Sequence, residues 1–392
     1  MSSTNKKCKT KVKMRDRISG LPDSPLLHIL SFLPTKEAVA TSLLSKRWRS
    51  LWHSLPALDF NRRKFKSLPF FHQFVGKVLK LVDLKSVKKF VLRCDHYKPR
   101  EYFRPRMISK WINAVVSNKV EHLELRLDSQ KGFYELPSIV FTANYIKVLK
   151  CRGVTSGFWL SNGVTLGTLS HVNLPSLEVL YLENVKFPDF RSLGMVLSAC
   201  ALLKELVLKI SDVGDCPTLD IGGLNHLVSA EVPQTLLPLK VISNVTFLRL
   251  FQPQDSEQVK WPFNEDIPMF HNLIHLECHA EEWTRMVNCL ENFPKLEKLV
   301  IYELCSTSPP QPILDVPSCV SLHLKEFTLL NFEGSESALE MVEFIIKHAG
   351  VLRTVSICHS SREYKLPRFE KLAENLKSGS GKHEQPLVFM IS

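Results

Sequence analysis

The stretch RSLGMVLSACALLKELVLKI, residues 191–210, decides the fold. Its first half is helix-like. Its second half, Leu203, Leu206 and Leu208, ends on a two-residue alternation, the period of a strand. One unit is therefore helix, short turn, strand.

The same apolar-x-x-apolar-x-apolar pattern extends in both directions. Upstream it reads Val87/Phe90/Leu92, Val120/Leu123/Leu125, Ile146/Leu149/Cys151 and Leu177/Leu180/Leu182. Downstream it reads, weakly, Leu227/Ala230/Val232, then Val245/Leu248/Leu250, Leu273/Leu276/Cys278, Leu296/Leu299/Ile301, Leu324/Phe327/Leu329 and Leu352/Val355/Ile357. The middle positions advance from 90 to 355 in ten steps of 18 to 33 residues, a mean of 26.5. Helix-like stretches precede several units, as in MISKWINAVVSNKVEHLELRL, EWTRMVNCLENFPKLEKLVIYEL and ALEMVEFIIKHAGVLRTVSI. In the last, Leu339, Val342, Ile345, Ile346 and Ala349 share one face. A period in the twenties with LxxLxL is the leucine-rich-repeat signature, here irregular and mostly without its following asparagine. The expected architecture is α/β: an arc-shaped solenoid of parallel strands on the concave side with outer helices.

The leucines should fill the core, with Cys151 and Cys278 among them as small buried hydrophobes. Residues alternating with them, namely Glu124, Tyr181, Val207, Arg249, Glu277, Val300 and Thr328, should face outward and offer a surface for a target. His275, Glu277 and His279 would share that face on one strand. Such a trio could hold a metal, but an ordinary polar face accounts for it, and no metal site or cofactor is assigned.

The composition narrows the classes further. The net charge of +12 is uneven: residues 1–17 carry +6, 61–110 carry +12, and 111–392 carry −7. The basic segment KKCKTKVKMR (6–15) reads as a solvated tail or a nuclear-import patch. In RRKFKSLPFFHQFVGKVLKLVDLKSVKK (62–89), Phe70, Phe71, Phe74, Val78, Leu81 and Val82 follow helical spacing, giving a first solenoid helix with a basic outer face. No run approaches 18 apolar residues, so no membrane span is expected. No secretory h-region follows the charged start, and ten cysteines lie scattered without a CxxC pair. Both point to reduced thiols inside the cell, in nucleus or cytoplasm. There is no GxSxG, Walker A loop or HExxH, and the pairs Glu265-Asp266 and Glu281-Glu282 read as solvated charges, so no catalytic residues are assigned.

Residues 16–60 are different: DRISGLPDSPLLHILSFLPTKEAVATSLLSKRWRSLWHSLPALDF. Asp23 reads as the N-cap of a first helix that Pro34 ends, Thr35 as the cap of a second and Ser45 as the opening of a third. Leu30, Leu33, Trp48 and Trp52 leave more apolar surface than so small a unit can cover. It either docks on its own solenoid or presents a surface to a partner.

This segment closely resembles the F-box, through LP at 21–22, HILSFLP at 28–34, KEAVATSLLSKRWRSLW at 36–52 and LDF at 58–60. The whole chain looks like the plant F-box/leucine-rich-repeat proteins that end in an FBD segment, which 316–357 and RFEKLAENLKS (368–378) resemble. The organisation implied is a tail at 1–15, a small all-helical F-box at 16–60, repeats at 61–315 and an FBD-like segment at 316–392. The resemblance implies a substrate-recognition subunit of an SCF-type cullin–RING ubiquitin ligase. It would bind a Skp-type adaptor, and through it cullin and RING subunits, with a protein target held by the solenoid. By motif position, Leu21, Pro22, Ile29, Leu30, Leu33, Pro34, Val39, Leu43, Leu44, Trp48, Leu51 and Trp52 form the F-box core or the adaptor contact, undivided between the two. The family has acid-then-aliphatic after LPD, where this chain has Ser24-Pro25. Losing that aliphatic contact would weaken binding by about 1–3 kcal/mol. A non-degradative scaffold is the first alternative, and a nucleic-acid binder using the basic front the second.

Overall fold

The computed structural model describes residues 17–18, 20–94, 104–128, 133–154, 163–210, 221–234, 236–252, 267–280, 282–304, 312–313, 315–332, 335–359 and 388–391. The basic tail at 6–15, the Glu265-Asp266 pair, Glu281 and the segment 368–378 lie outside them.

Helices α1 (Asp23–Ser31), α2 (Thr35–Ala40) and α3 (Lys46–Leu51) form the amino-terminal module. They are followed by α4 (Leu68–Leu81), α5 (Pro105–Ser117), α6 (Phe190–Ser198), α7 (Trp283–Cys289), α8 (Ser318–Leu322) and α9 (Glu336–His348). In chain order the strands are β1 (Ala57–Asn61), β2 (Lys89–Cys94), β3 (His122–Asp128), β4 (Phe133–Leu136), β5 (Val148–Val154) and β6 (Gly163–Leu166). Next come β7 (Val179–Glu183), β8 (Val185–Lys186), β9 (Glu205–Lys209), β10 (Ser229–Pro233) and β11 (Phe247–Phe251). The last are β12 (His275–Ala280), β13 (Lys298–Leu304), β14 (Glu326–Phe332), β15 (Thr354–His359) and β16 (Val388–Ile391).

Thirteen of these strands form one sheet in the order β1-β2-β3-β5-β7-β9-β10-β11-β12-β13-β14-β15-β16, with every pairing parallel. The middle apolar residue of all eleven repeats falls on one register line, from Phe90 through Leu123, Leu149, Leu180, Leu206, Ala230, Leu248, Leu276, Leu299 and Phe327 to Val355. All are buried. Adjacent strands are about 4.8 Å apart, so equivalent side chains stack into a continuous apolar column. Even the weak unit conforms, with Ala230 in the place of a leucine. The helices cover this column. Ile108, Trp111, Ile112, Val115 and Val116 of α5, spaced three and four apart, join one hydrophobic cluster with the strands.

The register line continues one strand further at each end, to Leu58 of β1 and Phe389 of β16. The all-helical reading of the amino-terminal module is therefore corrected. Leu58 and Phe60 alternate inward and pair β1 with β2, so LDF is the first strand of the sheet. Two further corrections concern α4. Phe70 and Leu81, assigned to its apolar face, are exposed, whereas Phe71 and Val78 of that face are buried, together with Leu68 and Val75. The buried stripe is narrower than the apolar run.

A second, three-stranded parallel sheet, β4-β6-β8, gives no repeat signal in the sequence. Its close approach to the main sheet accounts for Gly153: a Cβ there would stand 2.2 Å from the carbonyl oxygen of Asn184 and 3.2 Å from the backbone nitrogen of Val164. Asn184, at φ 51°, turns the chain between β7 and β8, and its side chain donates to the carbonyl of Gly153 at 3.1 Å.

Candidate functional site

Two surfaces hold the residues singled out by sequence: the amino-terminal helices and the outward face of the sheet.

In the helical module, local chemistry fixes each helix. Pro22, not Asp23, stands at the N-cap of α1, and Asp23 is its first helical residue. The Asp23 carboxylate is held by Arg47 at 2.5 Å, and Arg47 also donates to the Leu21 carbonyl, joining the start of α1 to α3. Thr35 does not cap α2 either, a place taken by Pro34. The fully buried Thr35 hydroxyl accepts from the backbone N–H of Asp59 in β1 at 2.7 Å. That bond ties the module to the edge of the sheet. Ser45 does cap α3, accepting from the N–H of Trp48. Beyond α3, the N–H of Asp83 donates to the His53 carbonyl and that of Lys88 to the Pro56 carbonyl.

These contacts divide the motif residues into two sets. Leu30, Trp48, Leu51 and Trp52 are buried with Leu26 in the cluster that continues into the solenoid, and Leu21, Leu33 and Val39 pack partly buried against it. Leu30, Leu33, Trp48 and Trp52 are thus not the surplus apolar surface expected from the sequence, because the module rests on β1 and its neighbours. The surplus lies elsewhere: Leu43 is 88% exposed, Leu44 69% and Ile29 45%. Phe32, which the sequence reading did not single out, is 74% exposed. Its signal was the run Ile29, Leu30, Phe32, Leu33, which is too wide for one buried stripe. Pro22 is also exposed, Pro34 half-buried, and Ser24 and Pro25 are exposed.

On the sheet, Glu124, Tyr181, Val207, Arg249, Glu277, Val300 and Thr328 share one outward register line, and all except Val300 are half-exposed. Val300 is only 5% exposed and adds little to the surface. The face is cross-braced by charge. Arg93 bridges Asp59 at 2.6 Å and Glu124 at 3.3 Å. Burial works against its charge, but the two carboxylates outweigh it and raise the guanidinium pKa. Arg152 donates to Glu183 at 2.7 Å and to the Tyr181 hydroxyl at 2.6 Å.

His275, Glu277 and His279 are neighbours on β12, but their partners differ. His275 lies 3.0 Å from Glu277, the Tyr302 hydroxyl donates to Glu277 at 3.0 Å, and Arg249 lies 3.4 Å from it. His279 instead stacks on the Tyr302 ring. Burial pushes the Glu277 pKa up, yet His275, Tyr302 and Arg249 together hold it below the usual carboxylate range. Burial, with Glu277 beside it, raises the Tyr302 phenol to about 12. Among the described residues no group of three or more His, Cys, Asp or Glu side chains is arranged to hold a metal ion. The buried thiols are chemically quiet, with desolvation raising Cys151 and Cys200 to about 12.

A third feature was missed by sequence reading. The residues just before the strands form a charge-alternating rim, Lys88, Glu121, Lys147, Glu178 and Lys204, with contacts of 3.0 Å, 2.8 Å and 2.7 Å for Lys88–Glu121, Lys147–Glu121 and Lys204–Glu178. Some of the excess charge at 61–110 is thus spent within the fold, on Glu121 and on Asp59.

Comparison with known families agrees with this geometry. Residues 18–59 match the F-box domain, 78–308 match the family described as At1g61320/AtMIF1, LRR domain, and 311–357 match FBD. The F-box/FBD/LRR-repeat protein At5g56420 of Arabidopsis thaliana is 27% identical, with 96% of this chain and 100% of that protein covered. F-box/LRR-repeat protein 13 of the same plant is 26% identical over 88% of this chain and 89% of its own length. A putative F-box/LRR-repeat protein, At5g41840, reaches 35% over 49% of this chain and 37% of its length. Three domain matches in the order of the fold, and two relatives aligned over most of both chains, place the chain in the family of F-box/FBD/leucine-rich-repeat proteins.

Proposed function

We propose that this protein is a non-catalytic substrate-recognition subunit of an SCF-type cullin–RING ubiquitin ligase. The F-box binds a Skp-type adaptor, and the solenoid holds a protein target near the ubiquitin-conjugating enzyme. Its contribution to rate is proximity, because a tethered target lysine experiences a high effective concentration. The observation that carries this reading is the exposure of Ile29, Phe32, Leu43 and Leu44 on a module whose Leu26, Leu30, Trp48, Leu51 and Trp52 are buried. Large exposed apolar side chains on a small, otherwise covered unit mark a partner surface. The exposure of Ser24 and Pro25 means that the departure from the family pattern alters this surface and not the core.

The test is co-expression with a Skp-type adaptor. The wild type co-elutes with the adaptor, and a Leu43→Glu/Leu44→Glu variant elutes alone. No co-elution of the wild type, with a control F-box positive in the same assay, overturns the reading. Ser24-Pro25 favours a second reading, a non-degradative scaffold with weakened adaptor binding. An unchanged half-life of captured partners when the chain is removed would support it.

A further inference from the structure

The charge-alternating rim at the strand starts is interrupted. Along it, each residue donates its N–H to the carbonyl of the equivalent residue before the preceding strand. From Lys204 the row continues in this way through Val228, Thr246 and Ile274 to Glu297, Lys325 and Arg353. Beyond the interruption the alternation resumes, with Lys325 on Glu297 at 2.7 Å. Within it the row is apolar. Val228 is 48% exposed and Ile274 44%, and the Thr246 hydroxyl donates to the Val228 carbonyl at 3.1 Å. The fold does not require aliphatic side chains at these exposed positions. An apolar patch framed by polar residues marks a contact with protein.

The order of the row identifies the protein it fits. On either side of Thr246 the next residue is aliphatic, and the two after it are charged. They are Lys204 then Glu178 on one side and Glu297 then Lys325 on the other, opposite in sign position by position. A two-fold axis through Thr246 therefore sets Val228 against Ile274 of a second copy, Lys204 against Glu297 and Glu178 against Lys325, each contact occurring twice. Moving the axis by half a strand spoils the match. Glu178 then meets Glu297 in one direction, and Lys204 meets Lys325 in the other. Such like-charge meetings penalise the neighbouring registers and so fix one. The match ends where Lys147 would meet Arg353. The contact thus runs from β7 to β14, about 29 Å at strand spacings of about 4.8 Å.

We propose that the rim from β7 to β14 is a self-complementary interface that pairs two copies of this chain. The proposal does not depend on the ligase reading. Turned about the same axis, β1 falls two strand spacings beyond β16 of the second copy, so the contact leaves the F-box out. The pairs Lys204–Glu178 and Lys325–Glu297, each 2.7 Å within one chain, hold these side chains ordered before the copies meet. That lowers the entropy cost of the contact.

The test is sedimentation equilibrium of the full chain at concentrations up to about 100 μM, which captures transient contacts. The wild type should pass from the mass of one copy to that of two as concentration rises. Val228→Glu, Lys204→Glu and Glu297→Lys should each weaken the dimer by about tenfold or more, because every change acts twice across the axis. The double variant Lys204→Glu/Glu297→Lys restores opposite charges between copies and should recover the dimer. It carries the same within-chain cost as the single variants, so recovery reports the contact between copies. Lys88→Glu, on the same rim but outside the contact, should leave the dimer unchanged. A one-copy mass at every concentration overturns the proposal, whether the patch is bare, covered by another segment of the chain or kept for a different protein. A dimer that survives Val228→Glu overturns it, as does a double variant no better than the single ones. Thermal melts confirm that the variants fold.

Discussion

Helices α1–α3 and helix α5 are built from similar amphipathic sequence, yet they end differently. In α5 the apolar stripe Ile108, Trp111, Ile112, Val115 and Val116 is wholly buried. In the amino-terminal module, Leu26, Leu30, Trp48, Leu51 and Trp52 are buried to a similar degree, but Ile29, Phe32, Leu43 and Leu44 are left outside. Both regions are packed on the same continuous cluster. The surplus therefore does not come from a poor core. It is a second apolar face on a module that already has one, and the solenoid helix has no counterpart.

The sharpest way to break this contrast is to remove a residue of the shared core. Phe327→Ala, on the register line of the sheet, should cost about 3–5 kcal/mol and lower the unfolding midpoint in denaturant. Leu30→Ala and Trp48→Ala belong with it: they would lose adaptor binding by unfolding the module, and a melting curve shows that loss. Next in size, replacing Leu43 and Leu44 with glutamate should leave the melting curve unchanged and weaken adaptor binding by at least about 2 kcal/mol, roughly 30-fold.

Thr35→Val sharpens the comparison at the joint between the two regions. It leaves the N–H of half-buried Asp59 without its Thr35 acceptor, for an expected cost of about 1–3 kcal/mol in a stability measurement. The smallest effect is electrostatic. Glu277 has its folded pKa depressed, so its contribution is fully present above the ordinary glutamate value and is lost as pH falls through the folded one. Glu277→Gln should therefore flatten the acid limb of a stability–pH curve while leaving adaptor binding intact.

Much of the solenoid was legible because its signal is repeated. Eleven copies of one spacing must share a register, and even Ala230 holds its place. What escaped has no such redundancy. Strands β4, β6 and β8 are two to four residues long and recur in only three places. Strand β1 was hidden inside a motif defined by its helices. In α4, Phe70 and Phe71 are equally hydrophobic neighbours, and only packing decides that Phe71 is buried and Phe70 exposed. The same limit kept the F-box residues undivided. Leu30 and Leu43 are both leucines at motif positions, and their opposite burial depends on where β1 and its neighbours lie.

The most direct test of the central claim, that the exposed leucines form an adaptor surface independent of the core, is a titration of purified Skp-type adaptor into the wild-type chain and the Leu43→Glu/Leu44→Glu variant, with a thermal melt of each. The account predicts saturable one-to-one binding by the wild type, a loss of roughly 30-fold or more in the variant, and superimposable melts. Equal affinities for the two proteins, with both folded, would contradict it.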